Sequence, residues 1–355
     1  MSTQGKALGD RYVIRLYQPS DWRQLIEFVN CAWPDSPLMR DEKRIIWRLF
    51  ENPENPKDSY PLLLIWQGKK IVAQTGWLPF RLFFAGKIIE ACWGIDLLVL
   101  PEHRRRGLAE LFAKKRASMY PVWLSSGLTE ASFKLSAKIE RPVIGKINTA
   151  VKILDMGNFI EQRYNLKLKP FTAAISSIHR AINAIGRKFL NTGIEVQAIE
   201  GVTRGLAKFL EDVYSGDIIA PIRTPEWLDW RFFGCPIAEY IMLEARRNKL
   251  TVGYAVLRIE EKNRTGHLVD MLTAPDDQDA QKGLLCNAAD FLSQKKVARF
   301  SCTFLSSLIE KGLHKSGFGE RPYKKNLIIN PESQPELRDY RLWHVTAADS
   351  DIEGF

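Results

Sequence analysis

The sequence has little of what marks a secreted, disulfide-bonded or membrane-spanning protein. Its five cysteines are odd in number and scattered, and no Cys-x-x-Cys or Cys/His cluster occurs, so we expect neither a disulfide framework nor a metal site. No run of about 18 apolar residues is present, so we expect no membrane span. The first residues, MSTQGKALGDRYVIR, lack the apolar core of a signal peptide. Together these absences favour a cytoplasmic protein.

Several motifs with a known chemistry are also missing. No Gly-x-Gly-x-x-Gly, phosphate-loop lysine, His-Glu-x-x-His or Gly-x-Ser-x-Gly motif occurs, so the chain gives no motif for dinucleotide binding, nucleotide hydrolysis, zinc proteolysis or serine hydrolysis. What is present is positive charge: 51 Lys and Arg against 41 Asp and Glu give a net charge of +10. This excess favours an anionic partner, which could be a phosphorylated cofactor, nucleic acid or an acidic surface.

The chain of 355 residues repeats itself once. "WRLFENP" at 47–53 returns as "WRFFGCP" at 230–236, an offset of 183, and "IDLLVLP" at 95–101 returns as "VDMLTAP" at 269–275, an offset of 174. Further short matches keep the same order, so we predict two copies of one unit of about 150 residues, a usual domain size. Because both copies have a Trp-Arg pair, we expect these pairs to anchor helix ends against a sheet.

Each copy has the same plan of helices and strands. A helical opening segment, 21–28 in the first copy and 202–214 in the second, leads to alternating strands with turns at 68–70 and 85–87 in the first copy. Pro101 ends the last of these strands, because proline cannot donate to a sheet ladder. Helical spacing follows at 108–120, then a strand and a helix at 129–139. This order predicts an α+β unit with a crossover helix.

The predicted domain organisation follows from the repeat. Residues 1–160 form the first domain and residues 201–345 form the second. Residues 161–200 connect them, and "FTAAISSIHRAINAIGRKFL" within this segment has apolar residues at helical spacing. Residues 346–355 are predicted to be a tail.

The turn after Pro101 is the most informative stretch of the sequence. Arg104, Arg105 and Arg106 precede Gly107, where a helix begins. The first N–H groups of a helix have no internal acceptor, and the helix dipole places positive charge there, so cations are unfavourable at this end unless an anion is bound. Gly107 has no side chain, so a phosphate can approach the backbone closely. The turn therefore predicts a phosphate site.

The stretch "VLPEHRRRGLAELF" resembles the Arg/Gln-x-x-Gly-x-Gly/Ala element of GNAT-superfamily acyltransferases. The resemblance covers about residues 11–160. It implies two tandem GNAT-like domains, each a mixed, mostly antiparallel sheet flanked by helices, and an acyl-CoA substrate, with acetyl-CoA expected. It also implies which residues hold the donor. The pyrophosphate would lie on the backbone of Arg104, Arg105, Arg106, Gly107, Leu108 and Ala109, and the pantetheine arm would pair with the strand at Leu98, Val99 and Leu100.

The second copy departs from this pattern at the corresponding turn. Asp276, Asp277 and Asp279 follow Pro275 where the first copy has arginines. Carboxylates beside a pyrophosphate would repel it. We therefore predict that the second domain is degenerate and that each chain binds one acyl-CoA.

Four residues of the first copy are candidates for catalysis. The resemblance implies a carboxylate on or beside the central strand and a hydroxyl near the next strand, which points to Asp96, Glu90, Tyr120 and Ser125. Asp270 holds the place of Asp96 in the second copy, which favours a structural role for both aspartates. His103 belongs to the basic turn, and we expect it to be solvated.

Three functions remain open at the level of sequence. The first is an acyl-CoA-dependent N-acyltransferase that acts on the amine of a small molecule, sugar or peptide. The second is an aminoacyl-tRNA-dependent ligase of the Fem type, since such enzymes also have two GNAT-like halves and a basic chain suits tRNA. The third is a non-catalytic CoA-binding module. The intact basic turn favours the first, so we expect an acyl-CoA donor and a small amine as partners rather than nucleic acid.

Overall fold

The computed structural model describes residues 12–117, 119–164, 171–172, 174–177, 193–321, 325–330 and 333–350. These residues form two mixed sheets flanked by helices, so the predicted α+β class is confirmed. In the described part of the chain, no helix is both long and apolar enough to cross a membrane.

The first sheet carries the predicted hairpins of the first copy. In spatial order its strands are β1 (Val13–Leu16), β2 (Leu62–Gln67), β3 (Lys70–Phe84), β4 (Lys87–Val99), β5 (Val122–Ser125), β15 (Asn326–Ile329) and β6 (Val143–Lys146). Neighbouring strands are antiparallel except for the β4–β5 pair, which is parallel. A further strand, β9 (Ala220–Pro221), pairs with β3. The hairpin turns therefore fall where Gly68 and Gly86 predict them.

Helices cover both faces of this sheet. Helices α1 (Trp22–Ala32) and α2 (Glu42–Phe50) pack apolar side chains into one core, while α3 (Leu108–Ala117) packs into another. The apolar run of β2 shows why both faces are buried, because its alternate residues enter the two cores in turn. Helix α4 (Glu130–Lys138) begins at Thr129, whose hydroxyl accepts a hydrogen bond from the Ser132 N–H.

The second sheet repeats the arrangement. Its neighbours are antiparallel except for the parallel β12–β13 pair. In spatial order its strands are β14 (Gly319–Arg321), β7 (Asn148–Ile153), β13 (Arg299–Ser306), β12 (Thr265–Thr273), β11 (Leu250–Glu260), β10 (Ile241–Arg247) and β8 (Glu195–Ile199), and β16 (His344–Thr346) pairs with β13. Its helices are α5 (Met156–Tyr164), α6 (Arg204–Asp212), α7 (Pro225–Leu228), which leads into a π-helical turn at Asp229–Phe233, α8 (Gln278–Gln294) and α9 (Ser307–Lys315).

The two halves exchange strands. β15 belongs to the second half by sequence, yet it lies between β5 and β6 of the first sheet. β7 follows β6 directly in the chain, yet it lies between β13 and β14 of the second sheet. Each sheet is therefore completed by a strand from the other half, so neither sheet is built from one continuous stretch of sequence.

The repeated tryptophans meet at the contact between the halves. The Trp47 Nε1–H donates to the Trp230 carbonyl at 2.9 Å, and the Trp230 Nε1–H donates to the Trp47 carbonyl at 2.9 Å. The two indole rings stack with their centroids 5.2 Å apart. The two tryptophans therefore join the halves directly. The expectation that each Trp-Arg pair anchors a helix end against a sheet stays a prediction.

Some predicted boundaries remain predictions. Most of the segment 171–190, predicted to be helical, lies outside the described residues. The domain limits at 160, 200 and 345 also stay predictions. The exchanged strands β7 and β15 each lie within one predicted domain by sequence and in the sheet of the other domain. Of the residues expected to form a tail, Thr346 ends β16 and residues 347–350 follow it, and Ala347, Ala348 and Asp349 are buried.

Candidate functional site

The site begins where β4 parts from β5. The two strands pair from Ala91 to Trp93 and then separate. Beyond this point the register between β3 and β4 shifts, and Asp96 adopts a left-handed conformation with φ of 50°. Such a bulge places consecutive side chains on one face of the sheet. Ile95 packs into the core under α1 and α2, and Asp96 reaches Arg48 of α2 on the same face.

A groove opens where the strands have separated. Its volume is about 560 Å³, and it lies between the end of β4, the basic turn, and the beginnings of α3 and α4. Seven of the nine predicted donor-binding residues line it: Leu98, Val99, Arg104, Arg105, Gly107, Leu108 and Ala109. The N-terminal turn of α4 lines the opposite side with Thr129, Ala131 and Ser132. The groove therefore lies between two helix N-termini, which favour negative charge.

The floor of the groove presents backbone donors. Among the described residues, no acceptor is bonded to the N–H groups of Arg105, Arg106, Gly107, Leu108 and Ala109. Gly107 has a φ of 78°, a conformation that residues with a Cβ rarely adopt. Four of these five residues, all except Arg106, line the groove, and unbonded donors at a helix start suit a phosphate.

The three arginines of the turn have different positions. The Arg104 Nε–H donates to the Val99 carbonyl at 3.0 Å, and Arg105 is exposed at the groove. Arg106 is turned away, since its guanidinium donates to the Tyr12 hydroxyl and the Glu102 carbonyl. Leu100 also lies outside the groove lining, and its N–H donates to the Val72 carbonyl.

His103 is buried, which the sequence did not suggest. Its Nδ1 lies 3.1 Å from the Tyr12 hydroxyl, and the two rings meet edge to face. Because Arg106 bonds to the same hydroxyl, Tyr12 ties the turn to the first strand. The expectation that His103 is solvated was therefore wrong, and His103 helps to hold the turn in place.

Asp96 faces helix α2 and is not part of the groove lining. Its carboxylate lies 3.8 Å from the Arg48 guanidinium, and 11% of its side chain is exposed. Burial lowers the pKa of Arg48 to about 10. The negative charge of Asp96 acts in the opposite direction and raises this pKa, while the positive charges of Arg44 and Arg231 lower it further. Asp96 shares a small cavity with Arg44, Arg48 and Gln74.

Glu90 and Tyr120 lie at the other end of the β4–β5 pair from Asp96. Glu90 is exposed near the beginning of β4. Tyr120 precedes β5 at the same end of the sheet, stacks edge to face on Trp123, and has a pKa raised by burial. The Ser125 hydroxyl accepts a hydrogen bond from Arg141 at 3.1 Å. Asp96 therefore lies apart from Glu90 and Tyr120.

Three polar groups near the bulge were missed at the level of sequence. Gln74 Oε1, Trp123 Nε1 and Ser126 Oγ are buried with no hydrogen-bond partner among the described residues. A Cβ on Gly94 would lie 2.5 Å from Trp123 Nε1, so this glycine allows the indole to approach the strand. A glycine inside a strand marks such close approaches, and Gly94 was the available signal.

The corresponding turn of the second half is closed by its own side chain. The Asp277 carboxylate accepts from the Ala280 N–H at 2.9 Å, which caps α8, and pairs with Arg247 at 2.7 Å. An aspartate cap occupies the place that a phosphate would take at a helix start. The structure thus supplies a physical reason for the predicted difference between the copies.

Asp270, the counterpart of Asp96, is enclosed in a polar network. It accepts from Arg223 at 3.1 Å, from the Tyr254 hydroxyl at 2.7 Å and from the Thr346 hydroxyl at 2.8 Å. Burial opposes ionisation of Asp270, but the charge and hydrogen bonds of Arg223 outweigh it, so its pKa is lowered. Asp349 binds the other side of the same guanidinium. Asp270 is therefore a structural residue, whereas Asp96 borders a cavity.

The comparisons with known proteins agree with this geometry. Residues 13–123 match the family model described as an acetyltransferase (GNAT) domain. No curated protein matches the chain. The chain is therefore similar to a known family over the part that holds the groove.

Solved structures share the fold over most of both chains. A probable N-acyltransferase from Enterococcus faecalis has a TM-score of 0.60 at 11% identity and covers 92% of this chain and 74% of its own. A GCN5-related N-acetyltransferase from Anabaena variabilis has a TM-score of 0.60 at 12% identity, with 90% and 72% covered. The N-myristoyltransferase of Saccharomyces cerevisiae, solved with bound myristoyl-CoA, has a TM-score of 0.54 at 13% identity, with 96% and 91% covered.

Proposed function

We propose that this chain is an acyl-CoA-dependent N-acyltransferase. Its residues 13–123 match a GNAT acetyltransferase domain, and its two halves share the fold of an N-myristoyltransferase. Its donor is acetyl-CoA, and its acceptor is the amine of a small molecule, a sugar or a peptide. The observation that carries the proposal is the row of N–H groups from Arg105 to Ala109, which have no acceptor among the described residues, at a turn that borders the groove.

The groove supports the donor side of the proposal. The backbone donors and the start of α3 suit a pyrophosphate, and Arg104 and Arg105 add positive charge at its margin. The strand at Leu98 and Val99 lines the same groove beyond the point where β4 and β5 separate, so an extended arm can lie along it, although the Val99 carbonyl already accepts from Arg104. A phosphate at one end and a strand edge at the other fit the two parts of a CoA molecule.

The bulge supports the chemistry of transfer. The acceptor nitrogen bonds to the thioester carbonyl carbon, and the bond from that carbon to sulfur breaks. An ammonium acceptor gives up one proton before attack and another as the amide forms, while the departing thiolate takes up one, so one proton is released overall. Asp96 is the carboxylate that lies at the point where β4 leaves β5, and we assign it as the base.

The space beside Asp96 favours a short acyl group. The cavity that Asp96 shares with Arg44 and Gln74 leaves about 10 Å³ for the centres of water-sized molecules. Such a space holds about one water molecule. It has no room for a long aliphatic chain on this side of the strand, which supports acetyl transfer.

Calorimetric titration and thiol release test the proposal together. Titration of the full chain with acetyl-CoA should give one site per chain, with an affinity that falls as salt is added because exposed arginine charge contributes. Amine-dependent release of CoA thiol should then identify an acceptor from a panel of amines, amino sugars and peptides. Binding without thiol release from any amine would indicate a non-catalytic module.

Two other outcomes would contradict the assignment directly. Two equivalent acetyl-CoA sites would mean that the Asp277 cap does not exclude the donor. No binding at all, with activity abolished by ribonuclease, would favour the aminoacyl-tRNA-dependent ligase.

A further inference from the structure

His103 is a buried side chain in the lining of the groove. The residue is only 9% exposed, and it lies between the end of β4 and the three arginines of the turn. Its Nδ1 is bonded to the Tyr12 hydroxyl, whereas its Nε2 has no hydrogen-bond partner in the described part of the chain. Buried polar groups are normally hydrogen-bonded. Because Nδ1 is directed at Tyr12, Nε2 is the ring nitrogen that remains for a ligand in the groove.

The partners of the Tyr12 hydroxyl determine which nitrogen of His103 carries the proton. Arginine can only donate, and Arg106 donates to the Tyr12 oxygen at 3.2 Å. The hydroxyl has one proton to donate, and His103 Nδ1, 3.1 Å away, is its only acceptor among the described residues. The opposite tautomer would leave this hydroxyl proton unbonded in a buried place, which is unfavourable. The hydrogen-bond network therefore assigns the proton of the neutral ring to Nε2.

The ring of His103 is also held in one orientation. It meets the ring of Tyr12 edge to face, with the centroids 5.9 Å apart, and Tyr12 packs in the same core as Leu108 and Phe112 of α3. The His103 N–H donates to the Leu100 carbonyl at 2.9 Å, which holds the backbone of this turn. A donor that is fixed before the ligand arrives loses little conformational entropy on binding.

The surroundings of His103 favour an anion. The N–H groups from Arg105 to Ala109, which have no acceptor among the described residues, follow His103 closely in the chain, and most of these residues line the same groove. Glu110 is the only carboxylate among the described residues of the lining, and it is paired with Lys138 of α4 at 3.0 Å. A neutral Nε2–H thus adds a side-chain donor to a site whose other donors are backbone groups.

We infer that His103 is a donor-binding residue, whose Nε2–H bonds to the pyrophosphate of acyl-CoA, and that Tyr12 is the positioning residue that fixes the required tautomer. The inference rests on the proposed function for the identity of the ligand. A hydrogen bond to a charged phosphate is stronger than one between neutral groups. Tyr12 contributes through His103 and Arg106, so it affects binding without contact to the ligand.

Nitrogen NMR of protein with isotope-labelled histidine tests the tautomer before any ligand is added. The chain has five histidines, and the signals of His103 are those that disappear in His103→Phe. In mildly alkaline buffer, where an ordinary histidine side chain is neutral, His103 should have a proton on Nε2 and none on Nδ1. Tyr12→Phe removes the hydroxyl and should shift the signals toward a mixture of tautomers. Tyr340→Phe, at an exposed tyrosine, is the matched control.

Titration with acetyl-CoA tests the contact with the ligand. The Nε2 signal of His103 should move on saturation, while the signals of the exposed His314 should not. His103→Phe keeps an aromatic ring without nitrogen, and it should bind acetyl-CoA about 10- to 100-fold more weakly, as expected on loss of a hydrogen bond to a charged group. His103→Gln should bind more tightly than His103→Phe, because its amide nitrogen can donate from nearly the same place. Thermal melts verify that each variant is folded.

The outcomes separate this inference from the acyltransferase proposal. A wild-type proton on Nδ1, an Nε2 signal that does not move with acetyl-CoA, or wild-type affinity in folded His103→Phe would overturn the inference and leave the proposed function in place. The first two observations need no variant to fold. A chain that binds no acetyl-CoA would contradict the proposed function. In that case, binding of inorganic pyrophosphate that depends on His103 would support the phosphate contact, and no such binding would overturn the inference as well.

Discussion

At the scale of single residues, two equivalent aspartates have different surroundings. Asp270 is enclosed by Arg223, Tyr254 and Thr346, while Asp96 has a longer contact to Arg48 and borders a cavity. The sequence repeat predicts that both are structural. The contacts support that role for Asp270, and they place the carboxylate of Asp96 beside a small cavity.

Paired substitutions distinguish the two roles. Asp96→Asn should lower the rate per folded molecule by about 10²–10⁴-fold, as expected on loss of a general base. Asp270→Asn should instead lower the free energy of unfolding by about 3–5 kcal/mol, because it leaves the buried Arg223 with one partner fewer. Steady-state rates corrected for the folded fraction, and urea unfolding, measure the two effects. A near-normal rate for the folded Asp96→Asn variant would exclude Asp96 as the base.

Gly107 is the second residue that decides function. Gly107→Glu places a side chain and a negative charge at a position with φ of 78°, where the left-handed conformation costs about 1–2 kcal/mol. We expect acetyl-CoA binding to be lost while the circular dichroism spectrum is unchanged. Gly86→Glu, at a turn with φ of 72° and open space around it, controls for the backbone cost. Wild-type affinity in the Gly107 variant would show that the turn does not hold the donor.

His344 predicts a pH dependence of stability. It is buried with Nδ1 2.8 Å from the Ser306 hydroxyl, and burial lowers its pKa. The unfolded state therefore binds a proton more readily than the folded state does. As a result, the contribution of His344 to the free energy of unfolding is fully present above the unfolded pKa of about 6.5 and decreases as the pH falls from there toward the lowered pKa of the folded state. Urea unfolding at about pH 7.5 and about pH 5, on either side of that pKa, should show a decrease in the free energy of unfolding of the wild type. The decrease should be smaller in His344→Gln. His314→Gln, on the exposed part of α9, should behave as wild type.

At the scale of elements, the beginning of α8 shows how the second half fills its own anion site. Asp277→Ala removes the cap on the Ala280 N–H and the partner of Arg247, so the free energy of unfolding should fall by about 1 kcal/mol. Asp276→Ala, at the exposed neighbouring position, should have little effect. Chemical denaturation compares the two variants. An equal loss in both would mean that the carboxylate of Asp277 is not a cap.

The elements themselves were largely predictable from sequence, and their partners were not. The helix predicted at 108–120 occupies Leu108–Ala117, and the one predicted at 129–139 occupies Glu130–Lys138 with Thr129 as its cap. Local periodicity and turn residues determine such elements. The partner of β6 is β15, which is distant in sequence, and no local pattern encodes that choice.

In the candidate site, too, the sequence predicted residues that are close together along the chain, but not contacts between distant residues. Half of the groove lining consists of residues that the sequence predicted to bind the donor, because they follow one another along the chain from Leu98 to Ala109, whereas the part formed by α4 was not predicted. A cavity lined by Arg44, Arg48, Arg223 and Arg231 joins side chains from α2, the turn at Asp229–Phe233 and residues 348–350. Two of these arginines, Arg48 and Arg231, were visible in the repeated Trp-Arg pairs, but only the contact between Trp47 and Trp230 shows that the two pairs lie together.

At the scale of the whole molecule, the exchanged strands make the two halves one folding unit. A chain divided within 178–192, for example after residue 180, gives a first fragment without β15 and a second without β7. We expect neither fragment alone to unfold cooperatively or to bind acetyl-CoA, because each sheet lacks an interior strand. Mixing or coexpression of the two should restore both properties. A first fragment that binds acetyl-CoA alone would show that β15 is dispensable.

The exchange of β7 and β15 also has a consequence for synthesis on the ribosome. β6 is complete at Lys146, but its partner begins at Asn326, which at about 5–20 residues per second emerges roughly 10–40 s later. During that interval the nascent first sheet has unpaired edges at β5 and β6, and such edges are sites of aggregation. We therefore expect the yield of soluble protein to depend on chaperones that hold nascent chains, more than it would for a chain whose first domain closes before the second is made.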